Sequence, residues 1–441
     1  MTGLPQDRRR PLEYGFVLLG LMVVAGVLNP VFNDFLGSRT EDYTQVNPAR
    51  MSFTLVLYSL ALALLILRWD RIRSVLSRNL LVLAAVALPF VSLIWSVDTD
   101  TTLRRAMAHV LSGVFCLYVV STITLDDLFR RLTLVFLIGA IASFLYVATS
   151  PGMALHIGGD LAGSWRGVYG HKNELGRIAG IAIIISLFAV DRNRLETAIR
   201  LGALAASVVL LLLSRSITNW LTVACLGLVI VTAYGLRASR MSVSVKLTGA
   251  MFGGALCAGA ILWGAGPVLE SLGRDMTFSG RTTLWRGVEA VAAARYPVFG
   301  AGYGAFFTPK GGLQDLAPYL SYWSGIPNHA HSGYLNTRAN LGWPGLVLLA
   351  ALVLVSLFRV VKRLVRGDRD RVWVGVFAFQ FLFLVNGFSE SSAFKHTDIA
   401  WMLFLMFTAY AAPDRPSQRA PRRRFIVHHS ADARRRARSA A

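Results

Sequence analysis

Apolar runs of roughly 17 to 22 residues recur along this chain between short charged loops, and about 20 helical residues cross the hydrocarbon core of a bilayer. This repetition makes lipid the solvent for most of the chain, where only helices and closed barrels satisfy their backbone groups. Composition agrees: 54% of the 441 residues are apolar and 16% are charged, against about a quarter charged in soluble domains. The runs predict an all-α polytopic membrane protein with about 12 transmembrane helices, near 14–32, 52–67, 80–96, 106–122, 132–149, 174–190, 197–213, 217–236, 247–265, 333–358, 373–388 and 397–412. The first run follows Arg8-Arg9-Arg10 as a signal peptide would. It is long, however, ends in Asn29-Pro30 and lacks a small-x-small cleavage site, so it reads as a retained helix.

The Lys and Arg residues orient these helices. With the N-terminus inside, 30 of the 45 fall in the N-tail, 68–78, 130–131, 192–200, 237–246, 359–371 and 415–438, whereas the largest outside loop spreads five over 266–332. Basic residues favour the cytoplasmic side. Both termini are therefore expected in the cytoplasm of a bacterium, with the chain in its inner membrane. The expected order is an N-tail (1–13), nine helices (14–265), a large periplasmic loop with an amphipathic helix (266–332), three more helices (333–412) and a basic cytoplasmic tail (413–441). On this reading the net charge of +21 reports topology and contact with anionic membrane lipids, not nucleic acid. The tail, with Arg434-Arg435-Arg436, reads as a solvated extension. Cys116, Cys225 and Cys257 all lie in apolar runs and imply neither a disulfide framework nor a metal cluster.

Polar residues gather at the outer face in four places: Trp165–Glu174, Ser214-Arg215-Ser216, the 266–332 loop, and Asn386–Ser392. Arg215 stands in a turn with almost no loop, so it either snorkels to head groups or binds a fixed anion. In the long loop, Ser279 is a candidate N-cap, placing Arg281 in the first turn of an amphipathic helix that lies along the membrane and runs to Arg295-Tyr296 before Pro297. Free amides, the positive helix end and a guanidinium make a phosphate site in kind; the alternative is an interfacial helix whose arginines face water. Gly300, Gly302 and Gly304 lack the Lys of a phosphate loop and read as a tight packed turn. His329 and His331 could ligate zinc, but only Asp315 accompanies them, and no metal site is expected. An imidazole at a helix N-terminus is kept neutral and can act as a general base.

Taken in order, Arg166–Asn173, Ser214-Arg215-Ser216, Ser279-Gly280-Arg281 with Trp285, Pro297–Gly304 and His331–Leu335 resemble the bacterial O-antigen ligase and Wzy-type polysaccharide-polymerase superfamily. The similarity covers roughly residues 160–400 and is closest to ExoQ-like exopolysaccharide production proteins. The resemblance implies a GT-C-like membrane glycosyltransferase that polymerises or transfers undecaprenyl diphosphate-linked oligosaccharide at the periplasmic face. It maps diphosphate binding to Arg215 and Arg281 and the catalytic histidine to His331 rather than His329. Arg166, Asn173, Arg286, His329 and Glu390 are accessory candidates. Ser332 stands where the family often has Asn, which bears on acceptor contacts. The implied partners are the lipid-linked donor, a growing glycan or lipid acceptor, and chain-length regulator and flippase proteins; no cofactor is implied.

The chemistry suits these residues. Two guanidinia can neutralise a leaving diphosphate without a metal, a positioned base contributes typically about 10² to 10⁴-fold, and attack opposite the diphosphate inverts the anomeric carbon. An O-antigen ligase acting on lipid A-core is the alternative within the class. A lipid-linked oligosaccharide transporter is the alternative outside it, disfavoured by the lack of an internal repeat and the few ionisable residues inside the spans.

Overall fold

The computed structural model describes residues 6–35, 47–238, 281–320, 326–365 and 371–413, with a few isolated positions between 241 and 249. The expected ninth span, Cys257, Ser279 as a cap and most of the basic tail lie outside the described residues. Among the described residues the fold is all-helical, with one isolated bridge between Leu155 and Trp165. In chain order the helices are α1 (Gln6–Val24), α2 (Pro48–Ile66), α3 (Trp69–Leu76), α4 (Leu80–Val91), α5 (Thr99–Thr122), α6 (Leu125–Thr149), α7 (Pro151–Ala154), α8 (Lys172–Phe188) and α9 (Arg194–Leu213). They continue with α10 (Ile217–Ala224), α11 (Leu226–Ala238), α12 (Arg281–Arg295), α13 (Gly333–Val365), α14 (Val372–Ser389) and α15 (Ile399–Tyr410).

Of the twelve expected spans, seven are found among the described residues as helices both long and apolar enough to cross a membrane. They are Pro48–Ile66, Thr99–Thr122, Leu125–Thr149, Arg194–Leu213, Ile217–Gly235, Gly333–Val365 and Val372–Ser389. Pro11–Val24, Leu80–Ile94 and Ile399–Tyr410 are apolar but shorter. The run near 174–190 forms α8, whose first two turns carry Lys172, Glu174 and Arg177.

Helix α14 is apolar all round and accordingly sits in the centre, packed by α8, α11 and α13. Its Phe383 stacks on Phe404 of α15 at 4.5 Å between ring centroids. Side-chain caps set several helix starts: Asp98 accepts the Thr101 amide for α5, Thr124 that of Asp127 for α6, and Asn193 that of Glu196 for α9.

A second, separate core lies in the 281–340 region. Helix α12 buries Leu284, Val288, Val291 and Ala292 on one stripe against Phe306, Leu316, Ala330 and Ala339. The apolar stripe expected of this amphipathic helix is thus covered by the chain's own loop. The spacing predicts the stripe correctly but cannot say what covers it.

The two cores meet at a break in α13. Gly342 adopts φ 64, ψ −156, a backbone region essentially reserved for glycine, and Pro344 has no amide to give. The carbonyls of Ala339 and Asn340 therefore lose their helical partners. They are taken by the amides of Ala301 (2.9 Å) and Gly302 (2.9 Å), while the Trp343 amide donates to the Val298 carbonyl at 2.8 Å. Arg338 closes the same seam by donating to the Tyr296 and Pro297 carbonyls at 3.1 and 3.0 Å. Gly300, Gly302 and Gly304 all have positive φ, and a Cβ on any of them would strike Asn340, Ser96 or Arg105 respectively. They form the tight packed turn read from the sequence, with their neighbouring amides already engaged. Residues 343–365 of α13 reach about 35 Å at 1.5 Å per residue, enough to span a bilayer alone, so Gly333–Leu341 is a separate helical segment ahead of the break.

Gly342→Ala is therefore expected to lower the thermal midpoint of the purified protein, since the backbone conformation alone costs about 1–3 kcal/mol for a residue with a Cβ and the Val298 carbonyl blocks the new methyl. Gly15→Ala, where a Cβ meets nothing within 4 Å, should leave the midpoint unchanged. Equal midpoints for both variants would refute this account of the seam.

Candidate active site

Three of the sequence clusters converge where α8, α12 and α13 begin. Arg281 is the first residue of α12. Its guanidinium donates from Nη1 to the Ser389 carbonyl at 2.9 Å and lies 3.7 Å from the Glu390 carboxylate through Nη2. Glu390 follows the last turn of α14, so this contact ties the long loop to the turn between α14 and α15.

His331 lies two residues before α13, in a left-handed conformation with φ 47. Its amide donates to Nδ1 of His329 at 3.1 Å, and the two rings sit 4.0 Å apart. Burial pushes the His331 imidazole down to about 3, assisted by the positive charges of Arg281 and Lys395 and by His171. Burial holds His329 well below the ordinary histidine range too. Both rings are neutral near pH 7.

Arg215 occupies the turn between α9 and α10, also left-handed with φ 50. Its exposed side chain reaches the Ala162 carbonyl at 3.4 Å and passes over Gly163, while its own carbonyl accepts from Lys172 Nζ at 3.3 Å. The start of α8 thus links the arginines: Lys172 holds the Arg215 turn, and the neighbouring His171 lies within electrostatic reach of Arg281.

That helix start is capped by two imidazoles. Nε2 of His156 accepts the Lys172 amide at 3.1 Å, and Nδ1 of His171 accepts the Asn173 amide at 3.1 Å. Their rings pack edge-on at 4.9 Å. Each accepting nitrogen must be unprotonated, which puts the His171 proton on Nε2. Burial pushes both rings down to about 4, with Arg166 and Lys172 adding to the effect.

The accessory candidates separate. Arg166 donates to the Met153 and Gly152 carbonyls, at 2.7 and 3.4 Å, and so closes the α7 turn. Asn173 accepts from Ser216 through its side chain at 3.0 Å and from Asn219 through its carbonyl at 3.2 Å, joining α8 to α10. Arg286 lies exposed on α12, away from the helix's buried stripe. His329 and Glu390 contact His331 and Arg281 directly.

Three contributors were not picked out as site candidates from the sequence. His171 and Lys172 stood inside a polar cluster but without a role, and Lys395 lies in the polar stretch after α14. An ionisable residue inside an apolar run, Arg177, was the remaining signal.

With this geometry in view, residues 202–350 match the O-antigen ligase family, Wzy_C. The matched stretch contains Arg215, Arg281, His331 and the break in α13. The chain is thus a multi-pass membrane protein carrying a segment similar to that family. Over 372 residues it is also 28% identical to the exopolysaccharide production protein ExoQ of Rhizobium meliloti (strain 1021), an alignment covering 80% of this chain and 82% of that protein. Both findings agree with the resemblance read from the motifs.

The paired caps give a pH dependence of definite sign. A histidine whose folded pKa lies below its ordinary 6.5 stabilises the fold fully above about pH 6.5 and loses that contribution as pH falls toward about 4. The thermal midpoint should fall over that window. His156→Gln with His171→Asn, whose amide oxygens stand in for Nε2 and Nδ1 but do not titrate, should flatten the fall. An unchanged pH slope in the double variant would rule the caps out as its source.

Proposed function

We propose that the chain is a GT-C-type membrane glycosyltransferase that moves undecaprenyl diphosphate-linked oligosaccharide onto a growing glycan at the periplasmic face of the inner membrane. The observation that carries this reading is the placement of Arg281 beside a neutral His331 near the start of α8, with Arg215 in the turn that Lys172 of that start holds. Arg215 and Arg281 hold the donor diphosphate and stabilise it as it leaves. His331 takes the proton of the attacking sugar hydroxyl, which approaches from the opposite face and inverts the anomeric carbon. Burial is the main cause of the depressed His331 and Arg281 adds to it; a diphosphate bound to Arg281 would offset that second part and raise the basicity of the ring. His329 aligns the His331 backbone, and Glu390 occupies Arg281 until the donor arrives.

In this reading twelve helices cross the membrane, residues 1–13 and 413–441 are cytoplasmic, and 266–332 is the periplasmic loop. The name of the similar protein, which concerns exopolysaccharide production, supports a polymerase. The description of the matching family supports a second reading, an O-antigen ligase that delivers the glycan to a terminal lipid acceptor. Chain-length regulator and flippase proteins are proposed partners of the polymerase.

In proteoliposomes loaded with lipid-linked repeat units, His331→Ala should lower transfer by about 10² to 10⁴-fold while donor binding persists, and His329→Ala should lose much less. Arg215→Ala and Arg281→Ala should weaken donor binding, with Lys restoring only part because it lacks the guanidinium fork. Chelator should leave the wild type active. Transfer by folded His331→Ala at the wild-type rate would overturn the base assignment, and normal donor binding by both Arg→Ala variants would overturn the diphosphate assignment.

Orientation is tested by placing single cysteines at 310 and 365 in a cysteine-free background. A membrane-impermeant reagent added from the periplasm should label the first alone; the reverse pattern would invert the topology.

A further inference from the structure

Arg177 sits on α8 six residues past His171, about two turns into the helix, and is 6% exposed. Its Nη2 lies 2.8 Å from Oδ2 of Asp398, itself 3% exposed, and its Nη1 donates to the Ser392 hydroxyl. Through Oδ1, Asp398 also accepts the Ala400 amide at 2.9 Å and caps α15. Stability alone does not account for such a pair, because burying two charges costs desolvation that their attraction often fails to repay, and apolar residues of similar volume commonly serve as well. What a buried pair supplies is a fixed register between the elements it joins. Ionisable groups in membrane helices are by default tied to function.

The elements joined here are α8 and the turn from Ser389 to Asp398. Internally that turn is held by short-range bonds only: the Ser392 amide to the Glu390 carbonyl, Lys395 to Ser392 and Asp398 to Lys395. Its placement comes from outside anchors. Arg177 grips Ser392 and Asp398, and the Tyr303 hydroxyl donates to the Phe394 carbonyl at 2.5 Å. At its head the turn presents the Ser389 carbonyl and the Glu390 carboxylate, which hold the Arg281 guanidinium.

We infer that the buried Arg177–Asp398 pair is a positioning device that sets the Ser389–Asp398 turn and, through it, the aim of Arg281 at the donor diphosphate. This rests on the diphosphate role proposed for Arg281. Neither residue touches the reacting atoms. The pair acts through the turn, so its loss alters donor affinity before it alters the chemical step.

The test uses the full chain in proteoliposomes with a lipid-linked oligosaccharide donor, and compares Asp398→Asn, Arg177→Met, Arg177→Lys and Arg177→Asp combined with Asp398→Arg. Thermal midpoints and size-exclusion profiles report folding. Asp398→Asn keeps the α15 cap, so it isolates loss of charge. Asp398→Asn and Arg177→Met should raise the donor KM by about tenfold or more with a smaller change in kcat, Arg177→Lys should lie between, and the reversed pair should recover part of the loss. Adding Asp398→Asn to Arg281→Ala should raise KM no further, since the pair works only through that arginine.

A donor KM within twofold of wild type in folded Asp398→Asn overturns the inference, as does a full additive rise on top of Arg281→Ala. If Arg177→Met does not fold, Asp398→Asn and Arg177→Lys decide. Should Arg281→Ala itself leave KM unchanged, the diphosphate reading fails. Should Arg281→Ala raise KM while Asp398→Asn does not, only the positioning role fails.

Discussion

Backbone groups in lipid have no water to turn to, and the seam at Gly342 shows how this chain meets that demand where a helix must stop and restart. The break strands two carbonyls and one amide of α13, and the turn around Gly300–Gly304 supplies a partner for each. The same turn packs on Ser96 in the α4–α5 connection and on Arg105 of α5. One loop thus joins the α4–α5 end of the helical core to the second core under α12. His331 and Arg281 stand on the far side of this seam from the long part of α13, so their placement depends on the loop being seated before any substrate interaction matters.

Around the site the electrostatics are lopsided. Arg281, Lys172, Lys395 and Arg166 crowd imidazoles that burial already keeps neutral, and within hydrogen-bonding or ion-pair distance of Arg281 the carboxylate is Glu390. The surplus suits the diphosphate proposed above, and it adds to the burial that keeps the histidines neutral.

Much of this was legible in the residues. Apolar runs announced the helices because period and length carry that information directly, and α12 ends before Pro297 as its spacing requires. His331 and Arg281 were legible as ionisable residues in polar loop segments, though a histidine beside a helix start can equally be a cap, as His171 is. The break in α13 was not, since Gly342-Trp343-Pro344 lies within a run whose hydropathy reads as one helix, and hydropathy is blind to φ. Nor could Arg166 and Asn173 be told from ligand-binding residues: both are polar and near the site, but Arg166 is taken by carbonyls of α7 and Asn173 by the side chains of Ser216 and Asn219. Arg177 stands out as an ionisable residue in an apolar run, but its partner Asp398 is far away in sequence, so only their meeting in space gives the pair meaning.

Arg215 and His331 share a property that their side-chain chemistry does not explain: both carry a Cβ in a left-handed backbone conformation that glycine would adopt freely. On the roles proposed above, folding and catalysis favour different amino acids at these two positions. Selection for robustness alone would drift toward glycine and discard the guanidinium or the imidazole, whereas selection for activity retains a local strain of about 1–3 kcal/mol at each. The third left-handed non-glycine residue among the described residues, Phe394, is buried in the core, so on this reading stabilising variants should be sought away from all three positions.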